Sequence, residues 1–144
     1  GKAAPPGAWT LEVTETVADG VAVTALDVMT RLGLAQFKLA IDDYGTGHAA
    51  LTYLRDFAVD ELKLDRSYVS AMLHDERTFA IVESTVSMGR RLGLVVVAEG
   101  VEEQEQVEAL ARCGCEIIQG YLVSPALAAD QFTSWLRARP TVSR

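Results

Sequence analysis

LVVVAE, from Leu94 to Glu99, is apolar at five consecutive positions and then ends in a carboxylate. A strand with one face in water alternates apolar and polar side chains, whereas a run apolar throughout reads as a strand buried on both faces, as in a parallel sheet covered by helices. The flanking sequence supports that reading. Upstream, Asp75 can cap a helix carrying Phe79, Val82 and Val86 that closes near Gly93. Downstream, Val107, Leu110 and Ala111 stripe a second helix that ends at Gly114.

The pattern repeats over the rest of the chain. Further β-rich runs are WTLEV (Trp9 to Val13), FKLAID (Phe37 to Asp42), DELKLD (Asp60 to Asp65) and CEIIQ (Cys115 to Gln119). Between the first two, Val23, Leu26 and Met29 lie three apart ahead of Gly33, which fits a helix with a glycine cap. After Asp130, the spacing of Phe132, Trp135 and Leu136 predicts a last helix with a core-facing stripe. Strands alternating with helices of this length predict parallel βαβ units, an α/β fold.

Composition narrows the function classes. The chain has 144 residues, 49% hydrophobic and 23% charged, with four prolines, which suits one soluble domain. A net charge of −7 argues against an electrostatic grip on a DNA or RNA polymer but leaves a small phosphorylated ligand, held through a metal, open. No apolar run approaches the ~18 residues of a membrane span, so no membrane contact is expected from this segment. The opening GKAAPPGAW lacks a signal-peptide core, and a cytoplasmic location is the default expectation. Cys113 and Cys115 are too close for an easy disulfide and have no partners for a zinc site, so they read as reduced structural thiols.

The polar residues fall at the ends of the apolar runs: Glu12, the pair Asp42 and Asp43, Lys63 with Asp65, Glu99, and Gln119. In parallel α/β folds these ends gather at one face, where such enzymes keep their sites. Any one polar strand end is ordinary. Five of them, dominated by carboxylates, form a constellation, and hard oxygen donors without histidine or thiolate favour magnesium or manganese over zinc. Two adjacent acids such as Asp42 and Asp43 suit a pair of ions with a bridging ligand, a device for cleaving phosphodiesters.

LEVTE (Leu11 to Glu15), DDYGTGHAAL (Asp42 to Leu51), LKLDRSYV (Leu62 to Val69), VVAEGVEEQEQ (Val96 to Gln106) and GCEIIQGYL (Gly114 to Leu122) occur in the order and approximate spacing of the EAL domain family. The chain resembles that family from about Pro5 to Phe132. The resemblance implies a bacterial signalling phosphodiesterase that opens the second messenger cyclic di-GMP to pGpG, using two magnesium or manganese ions in a (β/α)₈ TIM-type barrel. It makes Glu12 and Asp42 metal ligands, Asp42 shared by both ions, and Asp43 a ligand that also positions the water. Lys63 becomes the water-orienting cation and Glu99 a further acid of the metal site. Glu15 is similar to the residue that anchors the loop after DDYGTG, Gln119 to one that orients the site, and Asp65, Glu102 and Tyr121 to substrate or loop residues. Gly45 and Gly47 let that loop turn tightly against the site.

The sequence also departs from the family pattern. The Glu-Ala-Leu triplet is absent, together with the early strands that carry its glutamate and a ligating asparagine. A complete barrel takes about 250 residues and eight strands, against five β-rich runs here. The expectation is therefore a single partial EAL domain over residues 1–144, an incomplete barrel of about five βα units cut at a loop. Tyr44, His48, Ala49 and Ala50 replace the usual phenylalanine, tyrosine and serines, and QGYLVSPAL lacks the usual basic residue. His48 reads as loop surface, His74 as a solvated residue before a helix, and Glu102 with Glu103 as a charged first helical turn or, for Glu102, a family site position. Such a fragment is expected to be inactive or weak alone. Its partners would be the missing N-terminal part of the domain or another copy, paired through the outer strands. The alternative is a non-catalytic EAL-like cyclic di-GMP receptor or protein-interaction module.

Overall fold

The computed structural model of the chain describes residues 4–14, 22–45, 54 and 58–139. Five strands, β1 (Thr10–Thr14), β2 (Lys38–Tyr44), β3 (Glu61–Leu64), β4 (Val95–Ala98) and β5 (Ile117–Ile118), form one sheet in chain order. Every neighbouring pair is parallel. The helices are α1 (Ala22–Leu34), α2 (Arg66–Ala71), α3 (Glu76–Arg91), α4 (Gln104–Cys113) and α5 (Ala129–Ala138). The expected alternation of strand and helix is present from β1 to β2 and from β3 to β5, the β2–β3 connection lying mostly outside the described residues, and β1 and β5 are outermost among the described strands.

Strand alternation divides the sheet into two faces. One carries Ile41, Leu62, Leu64, Val96 and Ala98, all buried. Leu64, Val96 and Ala98 pack with Val69, Val82, Val86 and Leu110, from α2, α3 and α4. This layer is the main apolar core. Each buried branched side chain contributes about 1.5–3 kcal/mol through loss of apolar surface to water. The opposite face holds Glu12, Ala40, Asp42, Lys63, Val95 and Val97 by the same alternation and register. Val96, Val97 and Ala98 are buried, but Val95 is 40% exposed, so the expectation that β4 is covered on both faces fails at its first residue. No layer of described residues covers that end of the second face.

Helix α3 begins as expected: the Asp75 carboxylate accepts hydrogen bonds from the Arg77 and Thr78 amides at 3.3 and 3.0 Å. It closes at Gly93, whose φ of 77° lets its amide reach the Arg90 carbonyl while the Leu94 amide reaches the Gly89 carbonyl. Helix α1 uses the same closing geometry, but at a different residue from the one expected. Gly33 lies within the helix, and Gln36, at φ 66°, takes the left-handed position. The amides of Gln36 and Phe37 bond the carbonyls of Gly33 and Leu32. The bonds returning from two residues further on decide the stop. The expected positions Val23 and Leu26 have side chains outside the described residues, whereas Met29 is buried.

Two helical stripes also need correction. On α4 Leu110 is buried and Val107 packs against the core as expected, but Ala111 is exposed and Gln106 and Ala109 are buried instead, with Gln106 turned toward α2. Helix α5 starts at Ala129 rather than after Asp130, with Gln131 accepting from the Ala128 amide. Its stripe does not face the core: Phe132 is 48% and Leu136 51% exposed. Trp135 lies between the Phe132 ring, centroids 5.8 Å apart, and the Arg139 guanidinium at 3.9 Å. Amphipathic spacing supplies an apolar face, but burial needs a facing layer, and none lies there among the described residues. Cys113 and Cys115 are free thiols, Cys115 buried. No helix among the described residues is long and apolar enough to cross a membrane.

Candidate metal and phosphodiester site

Adjacent residues on a regular strand point to opposite faces, so Asp42 and Asp43 could not serve one site on an undistorted β2. The β2–β3 ladder shows how they do. Ile41 pairs with Leu62 and Tyr44 with Leu64, leaving two β2 residues, Asp42 and Asp43, opposite Lys63 alone. This is a β-bulge, and Asp43 occupies it at φ 56°. Carboxylate oxygens of Asp42, Asp43 and Glu99 consequently lie within 4.8 Å of one another.

Lys63 stands beside this trio. Its ammonium is 2.6 Å from Glu12 Oε1, 2.7 Å from Glu99 Oε1 and 3.0 Å from Asp42 Oδ1, and its side chain is only 7% exposed. Burial alone would push its pKa down, but the contacts with Glu12, Glu99 and Asp42 prevail and hold it above the ordinary lysine value. One cation thus faces three carboxylates. The Asp42 Oδ1 atom is buried and, despite the nearby ammonium, has no donor aligned as a hydrogen bond. Burial, then the neighbouring charges of Asp42 and Asp65, pushes the Asp43 carboxyl above its usual range. A poorly satisfied buried carboxylate oxygen, a second acid under like-charge pressure and a third within 4.8 Å form a donor set that fits a hard divalent cation.

A cleft of about 510 Å³ opens beside the trio, lined by Asp43, Asp65, Glu99, Glu102, Gln119 and Tyr121 among others. Six of the residues singled out in the sequence therefore share one cavity. Glu12, by contrast, is brought to Lys63 and not into the carboxylate trio. Asp65 also caps α2: its carboxylate accepts the Ser67 amide at 3.0 Å, and against the opposing effect of burial the Ser67 bonds hold its pKa below the usual carboxylate range. Glu15, Gly47 and His48 lie outside the described residues. His74 is exposed just before the Asp75 cap, as expected, and also lines the cleft.

Arg66, Ser70 and Gln106 line the cleft without having been singled out. For Gln106 a signal was available. Glu103 and Gln106 have capping-box spacing, and the Gln106 Oε1 accepts the Glu102 and Glu103 amides at 2.9 and 3.0 Å. Arg66 shows itself only in space, where its stem crosses Gly100 so closely that a Cβ there would lie 2.4 Å from Arg66 Cβ.

The sequence profile of the EAL domain family matches residues 2–126. The chain belongs to the EAL domain family. Over 126 residues it is 40% identical to the bifunctional diguanylate cyclase/cyclic di-GMP phosphodiesterase MucR of Pseudomonas aeruginosa, covering 88% of this chain and 18% of that protein. The crystal structure of the EAL domain of Mycobacterium smegmatis DcpA superposes with a TM-score of 0.86 at 34% identity, over 92% of this chain and 60% of that one. A manganese/cy-diGMP complex of Klebsiella pneumoniae BlrP1 gives 0.78 at 37% identity, over 83% and 30%. The chain thus spans less than a fifth of the length of MucR and three-fifths of the DcpA chain. Its α/β fold is that of EAL domains, which are of TIM-barrel type, and the described residues supply five parallel strands of it.

Gly120, between Gln119 and Tyr121, lines the cleft of this EAL chain. A Cβ on Gly120 would lie 2.1 Å from the Val101 carbonyl oxygen and 2.3 Å from its nitrogen, both backbone atoms already bonded to Leu122 and Gln119. Gly120→Ala is expected to cost about 3 kcal/mol, because a backbone clash has no flexible side chain to absorb it. Urea denaturation checks this; an unchanged midpoint would contradict the close approach.

Proposed function

We propose that this chain is the metal- and substrate-holding part of a phosphodiesterase that hydrolyses cyclic di-GMP to pGpG, a single partial EAL domain over residues 1–144. The observation that carries the reading is the convergence of Asp42, Asp43 and Glu99 within 4.8 Å beside the buried Lys63 ammonium. The manganese and cy-diGMP named for BlrP1 support the ligand and the metal class. Asp42, Asp43 and Glu99 are the proposed metal ligands, and Glu12, which contacts the Lys63 ammonium, is proposed as a further one, with two Mg²⁺ or Mn²⁺ ions as cofactors. Bound there, the ions would supply Lewis-acid charge to the phosphate and lower the pKa of the attacking water.

The chain's own residues do the rest. The Asp43 carboxylate, at the cleft edge beside Asp42 and Glu99, orients the attacking water. Lys63, held charged by its acidic neighbours, orients that water and stabilises charge that develops on the phosphoryl oxygens. Glu99 holds the Lys63 ammonium in place. Asp65, Glu102, Gln119 and Tyr121 line the cleft where the dinucleotide would lie. Water adds to phosphorus, one phosphoester bond breaks, and the departing ribose oxygen takes up a proton, leaving linear pGpG.

A cytoplasmic setting is part of this proposal. Ile117, 45% exposed on the outermost described strand β5, supports pairing of this sheet with further barrel strands or a second copy. The test is a complete EAL domain containing this chain, incubated with cyclic di-GMP and Mg²⁺ or Mn²⁺ and assayed for pGpG by chromatography. Metal-dependent pGpG production is expected, abolished by chelator. Binding of cyclic di-GMP without hydrolysis would replace this reading by the receptor.

A further inference from the structure

Helix α2 stands between the two acid-bearing segments of the cleft and touches both. On one side the Tyr68 hydroxyl donates to the Gly45 carbonyl at 2.6 Å. The ring packs so tightly there that a Cβ on Gly45 would lie 2.8 Å from Tyr68 Cε2. Gly45 is two residues beyond Asp43, the bulge residue at φ 56°. A non-glycine residue in that region costs of order 1–3 kcal/mol and persists only where its surroundings over-determine it. The ladder to β3 supplies the last such constraint at Tyr44, paired with Leu64. Beyond that pair, the Tyr68 hydroxyl holds Gly45 through its carbonyl.

The helix can bear that load because its other side is fixed. Its first turn is capped by Asp65, Val69 is fully buried, and the Val69 carbonyl accepts Gln106 Nε2 at 3.3 Å. The same Gln106 side chain holds the Glu102 and Glu103 amides. One six-residue helix therefore connects the segment after Asp43 to the segment after Glu99 through two side chains, Tyr68 and Gln106.

We propose that Tyr68 is a positioning residue that holds Asp43 in cation-binding geometry by pinning Gly45 to helix α2. The inference rests on the cation-site reading of Asp42, Asp43 and Glu99, and goes beyond it in naming the group that maintains the bulge. Tyr68→Phe removes one hydroxyl and keeps the ring packing, so the fold survives and the tether is tested alone.

The experiment uses the complete EAL domain containing this chain, wild type and Tyr68→Phe. Metal-free amide exchange in peptides spanning Gly45 is expected to quicken about fivefold, the scale of one lost partly buried hydrogen bond. Mn²⁺ affinity, read by titration calorimetry, should weaken by a similar factor, with exchange in α3 unchanged. Gln106→Leu should quicken exchange around Glu102 and, through the Val69 carbonyl, loosen the same brace. Unchanged exchange at Gly45 in Tyr68→Phe would overturn the proposal. So would faster exchange with unchanged Mn²⁺ affinity, since the tether would then not reach Asp43. Failure of the wild type to produce pGpG would count against the proposed function alone, and the exchange and Mn²⁺ readouts would still decide the role of Tyr68.

Discussion

Asp42→Asn in a complete EAL domain is expected to lower cyclic di-GMP hydrolysis more than about a hundredfold, on the scale of removing one electrostatic contact made to the transition state. The amide keeps the shape of the carboxylate but removes the charge of a buried oxygen that has no aligned hydrogen-bond donor. The Lys63 ammonium 3.0 Å from that oxygen is shared with Glu12 and Glu99, so a divalent cation adds positive charge that one lysine does not supply to all three carboxylates. Folding should be nearly unaffected, because Lys63 retains Glu12 and Glu99 at 2.6 and 2.7 Å. The assay is pGpG production at saturating Mn²⁺, with circular dichroism as the check on folding. Full activity in a folded Asp42→Asn variant would remove Asp42 from the ligand set.

Lys63→Met should have a large effect on stability. Methionine keeps most of the buried stem and deletes the ammonium, so Glu12, Asp42 and Glu99 are left facing one another without a counter-charge. Breaking a buried pair by removing one partner costs about 3–5 kcal/mol, and the half-exposed Glu12 places the expectation at the lower end, about 3 kcal/mol. Divalent cation should restore part of this loss, because it supplies positive charge to the same carboxylates. Urea unfolding in EDTA and again in Mn²⁺ separates the two contributions. Wild-type stability of Lys63→Met in EDTA would show that the ammonium does not neutralise the cluster. Turnover should fall as well, since no cation would then orient the attacking water.

The sequence by itself determined the succession of elements and the composition of the site. LVVVAE could be read as a buried parallel strand because its apolar residues are contiguous, and Asp75 and Gly93 bracket α3 through chemistry local to each end. Glu12, Asp42, Lys63 and Glu99 could be grouped because parallel strands bring equivalent positions to one face. Tertiary structure decided what depends on a neighbour. The adjacent acids Asp42 and Asp43 point into one site only because β3 offers a single residue, Lys63, opposite the two of them, and no local pattern announces that bulge. Gln36 rather than Gly33 ends α1 because returning amides select the left-handed residue. The stripe of Phe132 and Leu136 has the spacing of a core face and remains half exposed, because spacing creates an apolar face and only a second layer can bury it. The Tyr68 hydroxyl meets Gly45 across 23 residues of sequence, a distance at which only the packing of α2 against the end of β2 can bring a donor to its acceptor.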